Sequence, residues 1–167
     1  MAHITYTVSM RIIGIDPGTG ILGFGVIDVK QGKSVLVDAG VIRTPVKEDD
    51  AVRLHTIYDE LTDIIAQTKP DMMSVEKLFF ARNVTTAMTV SQARGVVLLC
   101  AKQAGLDIYE YTPMQIKQAI TGYGKADKKQ MQEMVKVILG LETVPKPDDA
   151  ADALAAALTH AQSARTN

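Results

Sequence analysis

Residues 10–29 read MRIIGIDPGTGILGFGVIDV, a β-branched apolar run that stops abruptly on an acid, a proline and a cluster of glycines. Ile12, Ile13 and Ile15 make the short run of a strand buried on both faces, which suits a central strand better than an edge. Asp16 closes the run and puts one carboxylate at a strand end. Pro17 fixes φ and Gly18 tolerates positive φ, so together they predict a turn, and Gly23–Val29 reads as the returning strand.

The same stretch contains G-x-G-x-x-G at Gly18, Gly20 and Gly23, the dinucleotide-binding pattern. That pattern needs a helix next, whose N-terminus holds the pyrophosphate, whereas Phe24-Gly-Val-Ile-Asp-Val is β-branched and glycine-interrupted. The order strand, acid, glycine turn, strand is similar to that of the large ribonuclease-H-like and actin-like group, where the acid works on metal-bound phosphate. The plain alternative is a structural hairpin with an incidental aspartate.

A chain of 167 residues, 47% hydrophobic and 22% charged, has the length and composition of a single soluble globular domain. Cys100 is the only cysteine and lies in the apolar run Gly95-Val-Val-Leu-Leu-Cys-Ala, as a small core residue in a reducing compartment does. The apolar runs read as too short to span a membrane and residues 1–9 lack a signal peptide's pattern, so a cytoplasmic location without a membrane partner is expected. Met10 is a natural start, which makes residues 1–9 a leader or a remnant of expression and residues 10–167 the single domain. Net charge is −1, but residues 77–136 hold nine Lys or Arg against four Asp or Glu, so a +5 segment is set in a remainder of −6. Such asymmetry suits a basic surface for phosphates beside an acidic pocket for metal ions.

Lys30-Gln-Gly-Lys33 reads as a turn and Ser34–Arg43 as a third antiparallel strand. Leu54, Ile57, Tyr58, Leu61, Ile64 and Ile65 follow the spacing of an amphipathic helix. Lys69-Pro70-Asp71 stops it, and Met72–Val75 reads as a fourth strand, parallel to the first because a helix connects them, ending in Glu76. Lys77-Leu-Phe-Phe-Ala-Arg-Asn83 then puts two aromatics and two cations in a loop, although the chain has only three Phe. Phe79, Phe80 and Arg82 are thus candidates for stacking on unpaired bases and touching phosphates, or the rings plug the core beneath the loop. A helix over 85–103 ends near Gly105, Asp107–Tyr111 reads as a fifth strand, and Thr112-Pro113 opens a helix carrying Lys117. Gly122-Tyr-Gly-Lys-Ala with Lys125, Lys128 and Lys129 forms either a phosphate-backbone contact or a solvated helix start. Met131, Met134, Val135, Ile138 and Leu139 give the following helix a core face.

In Lys146-Pro-Asp-Asp-Ala-Ala-Asp-Ala-Leu154, Asp149 and Asp152 lie three apart and share a helix face. Asp149 can simply complement the helix dipole, as can Asp148. Asp152 lies among Ala150, Ala151, Ala153, Leu154, Ala155, Ala156 and Ala157, a small apolar surface on which a carboxylate needs a partner such as a metal ion. If this helix packs across the sheet edge, Asp16, Glu76, Asp149 and Asp152 converge with oxygen ligands only, which suits magnesium or manganese, and two such ions form a phosphodiester-hydrolysing clamp. No His or Cys cluster argues for zinc.

On Gly14-Ile-Asp-Pro-Gly18, Val75-Glu76 with the Phe79 loop, Gln92-Ala-Arg-Gly95, Gln115-Ile-Lys-Gln118 and Asp149-Ala-Ala-Asp-Ala-Leu154, nearly the whole chain from Met10 resembles the RuvC Holliday junction resolvases. The resemblance implies an α/β ribonuclease-H-like fold with a five-stranded mixed sheet flanked by helices. It implies a homodimeric crossover junction endodeoxyribonuclease that uses magnesium or manganese, two ions per site, to nick opposing strands of four-way DNA symmetrically in recombination and repair. It also implies the RuvA and RuvB branch-migration complex as a partner. It assigns catalysis to Asp16, Glu76, Asp149 and Asp152, junction insertion to Phe79, and DNA contact to Lys117 and to Lys125 or Lys128. Some members carry a histidine where Asp149 stands, and the leading nine residues and early C-terminus depart from the pattern. Two rivals are an actin-like phosphate-binding protein, which needs a duplicated second domain, and a non-catalytic junction-binding module, which would lose at least one of the four acids.

Overall fold

The computed structural model describes residues 9–77 and 84–164, so Phe79, Phe80, Arg82 and the first eight residues lie outside the described part. β1 (Met10–Asp16) pairs antiparallel with β2 (Ile21–Lys30), and β2 with β3 (Lys33–Arg43). α1 (Asp50–Thr68) crosses over to β4 (Met72–Glu76), parallel to β1, and α2 (Val84–Gln103) crosses to β5 (Asp107–Tyr111), parallel to β4. The sheet order is β3-β2-β1-β4-β5, with β1 central as its apolar run predicts. α3 (Pro113–Thr121), α4 (Lys128–Leu139) and α5 (Asp148–Ser163) complete the chain.

The two faces of the sheet carry two cores. Ile13 and Ile15 of β1 face Ile57 and Leu61 of α1 and Ala93, Val97 and Cys100 of α2. Ile12, one residue out of phase, lies with Ile27 against Leu154 and Leu158 of α5 and the apolar residues of α3 and α4. Local signals behave as expected at most ends. Thr112 and Gln115 close a capping box at α3, Asp127 and Gln130 another at α4, and Gly140 ends α4 with positive φ.

Two expectations change. Gly18 is not in the positive-φ region; positive φ belongs to Gln31 and Gly32 in the β2–β3 turn, a pairing that matches the twist of a tight hairpin. What excludes a side chain at Gly18 is space, since a Cβ there would lie 2.1 Å from the Ile21 carbonyl oxygen. The second concerns membranes. α2, at 20 residues, is long and apolar enough to cross one, contrary to the reading of the apolar runs. It is instead a core helix, with Ala93, Val97, Cys100 and Ala101 against the sheet and Arg94 in its middle paired to Glu110.

α5 is held unusually close to the sheet. A Cβ on Gly14 would lie 2.0 Å from the Ala153 carbonyl oxygen, one on Gly23 2.0 Å from that of Asp149, and one on Gly25 2.6 Å from the Leu154 side chain. Gly14 and Gly25 are cross-strand partners, so the cleared surface is continuous. Ser74, beside Gly14 on β4, donates to the Ala156 carbonyl at 2.6 Å and satisfies a buried hydroxyl. Gly14→Ala drives a methyl into helix backbone and should cost about 3 kcal/mol or more in chemical denaturation. Gly40→Ala, which meets only the Phe24 ring at 3.1 Å, should cost much less. Equal losses would show that α5 does not depend on this seat.

Candidate active site

β1 and β4 are parallel neighbours with Ile15 opposite Val75, so Asp16 and Glu76 leave the sheet side by side at one edge. α5 brings Asp149 and Asp152 over that edge in its first turns, because its backbone rests on Gly23 and Gly14. The electrostatics register the meeting. Burial pushes the Asp16 carboxyl up to about 8, and the charges of Glu76, Asp152 and Asp149 push the same way. The hydrogen bond between the two carboxyls raises Asp16 further and lowers Glu76. Glu76 is raised chiefly by burial and opposed by that hydrogen bond and by Lys117 and Lys128, while Asp152 is raised by burial against the pull of Lys128.

The partner that Asp152 needs is a cation of the chain itself. Lys128 Nζ lies 3.2 Å from Asp152 and 3.6 Å from Asp148. Burial disfavours the ammonium, but Asp152, Asp148 and Asp149 outweigh it and raise its pKa. Among the described residues, no three His, Cys, Asp or Glu side chains are grouped, as they stand, so that they could hold a metal ion. The cluster fits a hard divalent cation in donor chemistry: it offers only carboxylate oxygens, crowded enough to keep one of them protonated. Filling it would require Asp16 to lose its proton and Asp152 to turn from Lys128.

Two open clefts meet at the carboxylates, and Glu76 and Pro113 line both. The first, of about 300 Å³, is walled by Asp152, Lys117, Lys128 and Met131. The second, of about 220 Å³, is walled by Asp16, Pro17, Lys77, Val90 and Arg94. Lys117 and Lys128 therefore lie beside the acids. Lys125 is exposed on the loop before α4 and lines neither cleft. The three functional candidates of the 78–83 loop fall outside the described residues.

Sequence reasoning did not assign Lys77, Arg94 or Asp148 to the site. Arg94 left a signal, a cation inside an apolar helix, which is explained by its ion pair with Glu110 of β5. Asp148 read equally well as a dipole charge, and its bond to Lys128 depends on how α4 meets α5.

A family model described as crossover junction endodeoxyribonuclease RuvC matches residues 12–160. The crossover junction endodeoxyribonuclease RuvC of Brevibacillus brevis is 56% identical over 153 residues, covering 92% of each chain. That of Chloroflexus aurantiacus is 52% identical, over 94% of this chain and 96% of its own. The structure of Thermus thermophilus RuvC in complex with a Holliday junction substrate superposes with a TM-score of 0.89 at 42% identity, covering 94% of this chain and 96% of that one. The yeast mitochondrial resolvase Ydc2, at 12% identity and a TM-score of 0.67, shares the fold. With the family model spanning all five strands and the relatives matching nearly end to end, this chain belongs to the RuvC family of crossover junction endodeoxyribonucleases.

Proposed function

We propose that Asp16, Glu76, Asp149 and Asp152 are the catalytic and metal-holding carboxylates with which this endonuclease nicks opposing strands of a four-way (Holliday) DNA junction in recombination and repair. The observation that carries this reading is the convergence of four acids from β1, β4 and α5 on one edge between two cation-lined clefts. Asp16, Glu76, Asp149 and Asp152 would hold magnesium or manganese, two ions per site, which would supply Lewis-acid stabilisation to phosphodiester hydrolysis. The protein's part is to hold the carboxylates in place, to keep Asp16 and Glu76 partly dry so that they favour a cation, and to offer Lys117 and Lys128 to the flanking phosphates. Phe79, Phe80 and Arg82 are proposed as junction contacts and Lys125 as an outer phosphate contact.

The same acids separate the rival readings. A junction-binding module without catalysis has no need of all four, and an actin-like phosphate-binding protein needs a second domain that the five-stranded unit does not supply. Incubating the protein with a synthetic four-way junction and with linear duplex, in magnesium or in chelator, tests this directly. Paired nicks in the junction alone, and only with metal, are expected; junction binding without nicks would favour the module.

A homodimer fits the requirement for two symmetric nicks. α2 exposes Val84 (73%), Met88 (62%) and Leu99 (51%), which with Gly95 form one stripe along the helix. The RuvA and RuvB branch-migration complex is the partner proposed from the family resemblance. The buried free thiol of Cys100 supports a reducing compartment, and the cytoplasm is the proposed location.

Three outcomes check these assignments. Because Asp16 is raised to about 8 from an ordinary value near 4, the folded state there binds a proton that the unfolded chain has already released. The resulting loss of stability grows between those pH values and is complete above the higher one. Without metal, Asp16→Asn should therefore melt higher than wild type at pH 8, with the gap closing towards pH 4. Added magnesium should raise the melting temperature of wild type more than that of the variant, and cleavage by the variant should vanish while junction binding in chelator survives. A gap independent of pH would contradict the shift. Leu99→Glu should turn the dimer into a monomer in sedimentation and abolish paired nicking, whereas an unchanged dimer would place the interface elsewhere. Phe79→Ala should reduce junction cleavage strongly with melting temperature unchanged, and 2-aminopurine beside the crossover should brighten less than with wild type. A lower melting temperature with equal cleavage would make Phe79 a core plug.

A further inference from the structure

We propose that the cleft between the Asp16–Pro17 turn and α2, walled by Lys77 and Arg94, seats a phosphate of the cleaved strand next to the scissile one. The strand is then gripped by cations on both sides of the carboxylates. The inference rests on the reading that those carboxylates mark the point of cleavage.

The geometry begins with the acids. Asp16 and Glu76 form one wall of this cleft of about 220 Å³, so an anion entering it would be repelled unless something compensates. Two cations do so from the far side. Lys77 follows Glu76 directly, and its backbone N–H donates to the Tyr111 carbonyl at 2.7 Å, which pins its Cα at the strand end. Its side chain is exposed and makes no ion pair among the described residues. Arg94 is fixed by Glu110, yet its Nε is buried with no acceptor among the described residues. The rest of the guanidinium, which is part-exposed and lines the cleft, adds positive charge there.

The opposite cleft makes the contrast. There Lys128 is already engaged by Asp152 and Asp148, so much of its charge is spent within the site. Lys77 in this cleft and Lys117 in the other are the cations lining the clefts that make no ion pair among the described residues, so each cleft keeps one cation available to a phosphate. No aromatic side chain among the described residues lines this second cleft, so it offers phosphate contact rather than base stacking. A strand lying across the carboxylates would place successive phosphates one in each cleft.

The test uses full-length protein in chelator, where binding is read without cleavage. Four-way junctions carry one neutral methylphosphonate at the phosphate on either side of the scissile position, as mapped by wild-type nicking in magnesium. Wild type should bind about fivefold more weakly when one of these two phosphates is neutral. Lys77→Ala should bind the unmodified junction about fivefold more weakly, with a salt slope smaller by about one, and should be indifferent to that same methylphosphonate. Lys117→Ala should remain sensitive to it. If Lys77→Ala matches wild type in affinity and slope, or stays sensitive at both positions, the proposal is overturned. Arg94→Gln should lower the slope, whereas Glu110→Gln, which breaks the same ion pair but keeps the cation, should not; an unchanged slope for Arg94→Gln removes Arg94 from the site. Folded wild type that fails to bind the unmodified junction in chelator would instead overturn the functional reading beneath.

Discussion

The approach of α5 to the middle of the sheet is the constraint on which the rest depends. A helix normally keeps a side-chain layer between its backbone and a strand, and here that layer is missing at Gly14, Gly23 and Gly25. The alanines of α5 complete the fit: Ala150, Ala151, Ala153, Ala155, Ala156 and Ala157 are all buried. Dispersion and burial hold the two surfaces together, but the functional effect is positional. Asp149 and Asp152 are carried over the ends of β1 and β4 only because the helix axis lies this low. A seat made of backbone contacts also tolerates little drift, which suits the metal-holding role proposed for these carboxylates.

Gathering four acids is unfavourable, and the structure shows how the cost is contained. Asp16 keeps a proton and shares it with Glu76, and Lys128 lends its ammonium to Asp152. Both offset negative charge that the proposed divalent cation would otherwise offset, and both are displaceable, one by loss of a proton and the other by rotation of a flexible side chain. The basic segment between residues 77 and 136 acquires a structural meaning from this. Its cations Lys77, Arg94, Lys117 and Lys128 come from four different places in the chain and line the two clefts that meet at the acids.

Much of this was legible in the sequence, for identifiable reasons. Asp16 closes an apolar β-branched run and Glu76 ends the short Met72–Val75 run that follows the helix stop at Lys69-Pro70-Asp71, so their place at strand ends follows from local pattern, and the helix between them dictates parallel strands and a shared edge. Asp152 stood out as a charge among alanines. What depends on three-dimensional closeness was not legible. That Gly14 and Gly23 are required by α5 comes from a helix more than a hundred residues away, so Gly23 read as part of a nucleotide-binding pattern and Gly18 as a conformational glycine. Arg94 was visible as an odd residue, but its partner Glu110 and its cleft are products of how α2 meets β5.

α2 shows why composition alone misleads here. Its residues are apolar nearly all round, which by length and hydropathy describes a membrane span, yet one side packs on the sheet and another exposes Val84, Met88 and Leu99. A helix apolar on opposite sides must be covered twice. The sheet covers the first side, and the second is the side that the proposed homodimer would cover. Arg94 lies between the two, anchored to β5 and facing the cleft beside Asp16. In the proposed homodimer, a helix that touches the sheet, the cleft beside Asp16 and the outer apolar stripe would set the distance between two active sites, and hence which two phosphates of a junction could be cut as a pair.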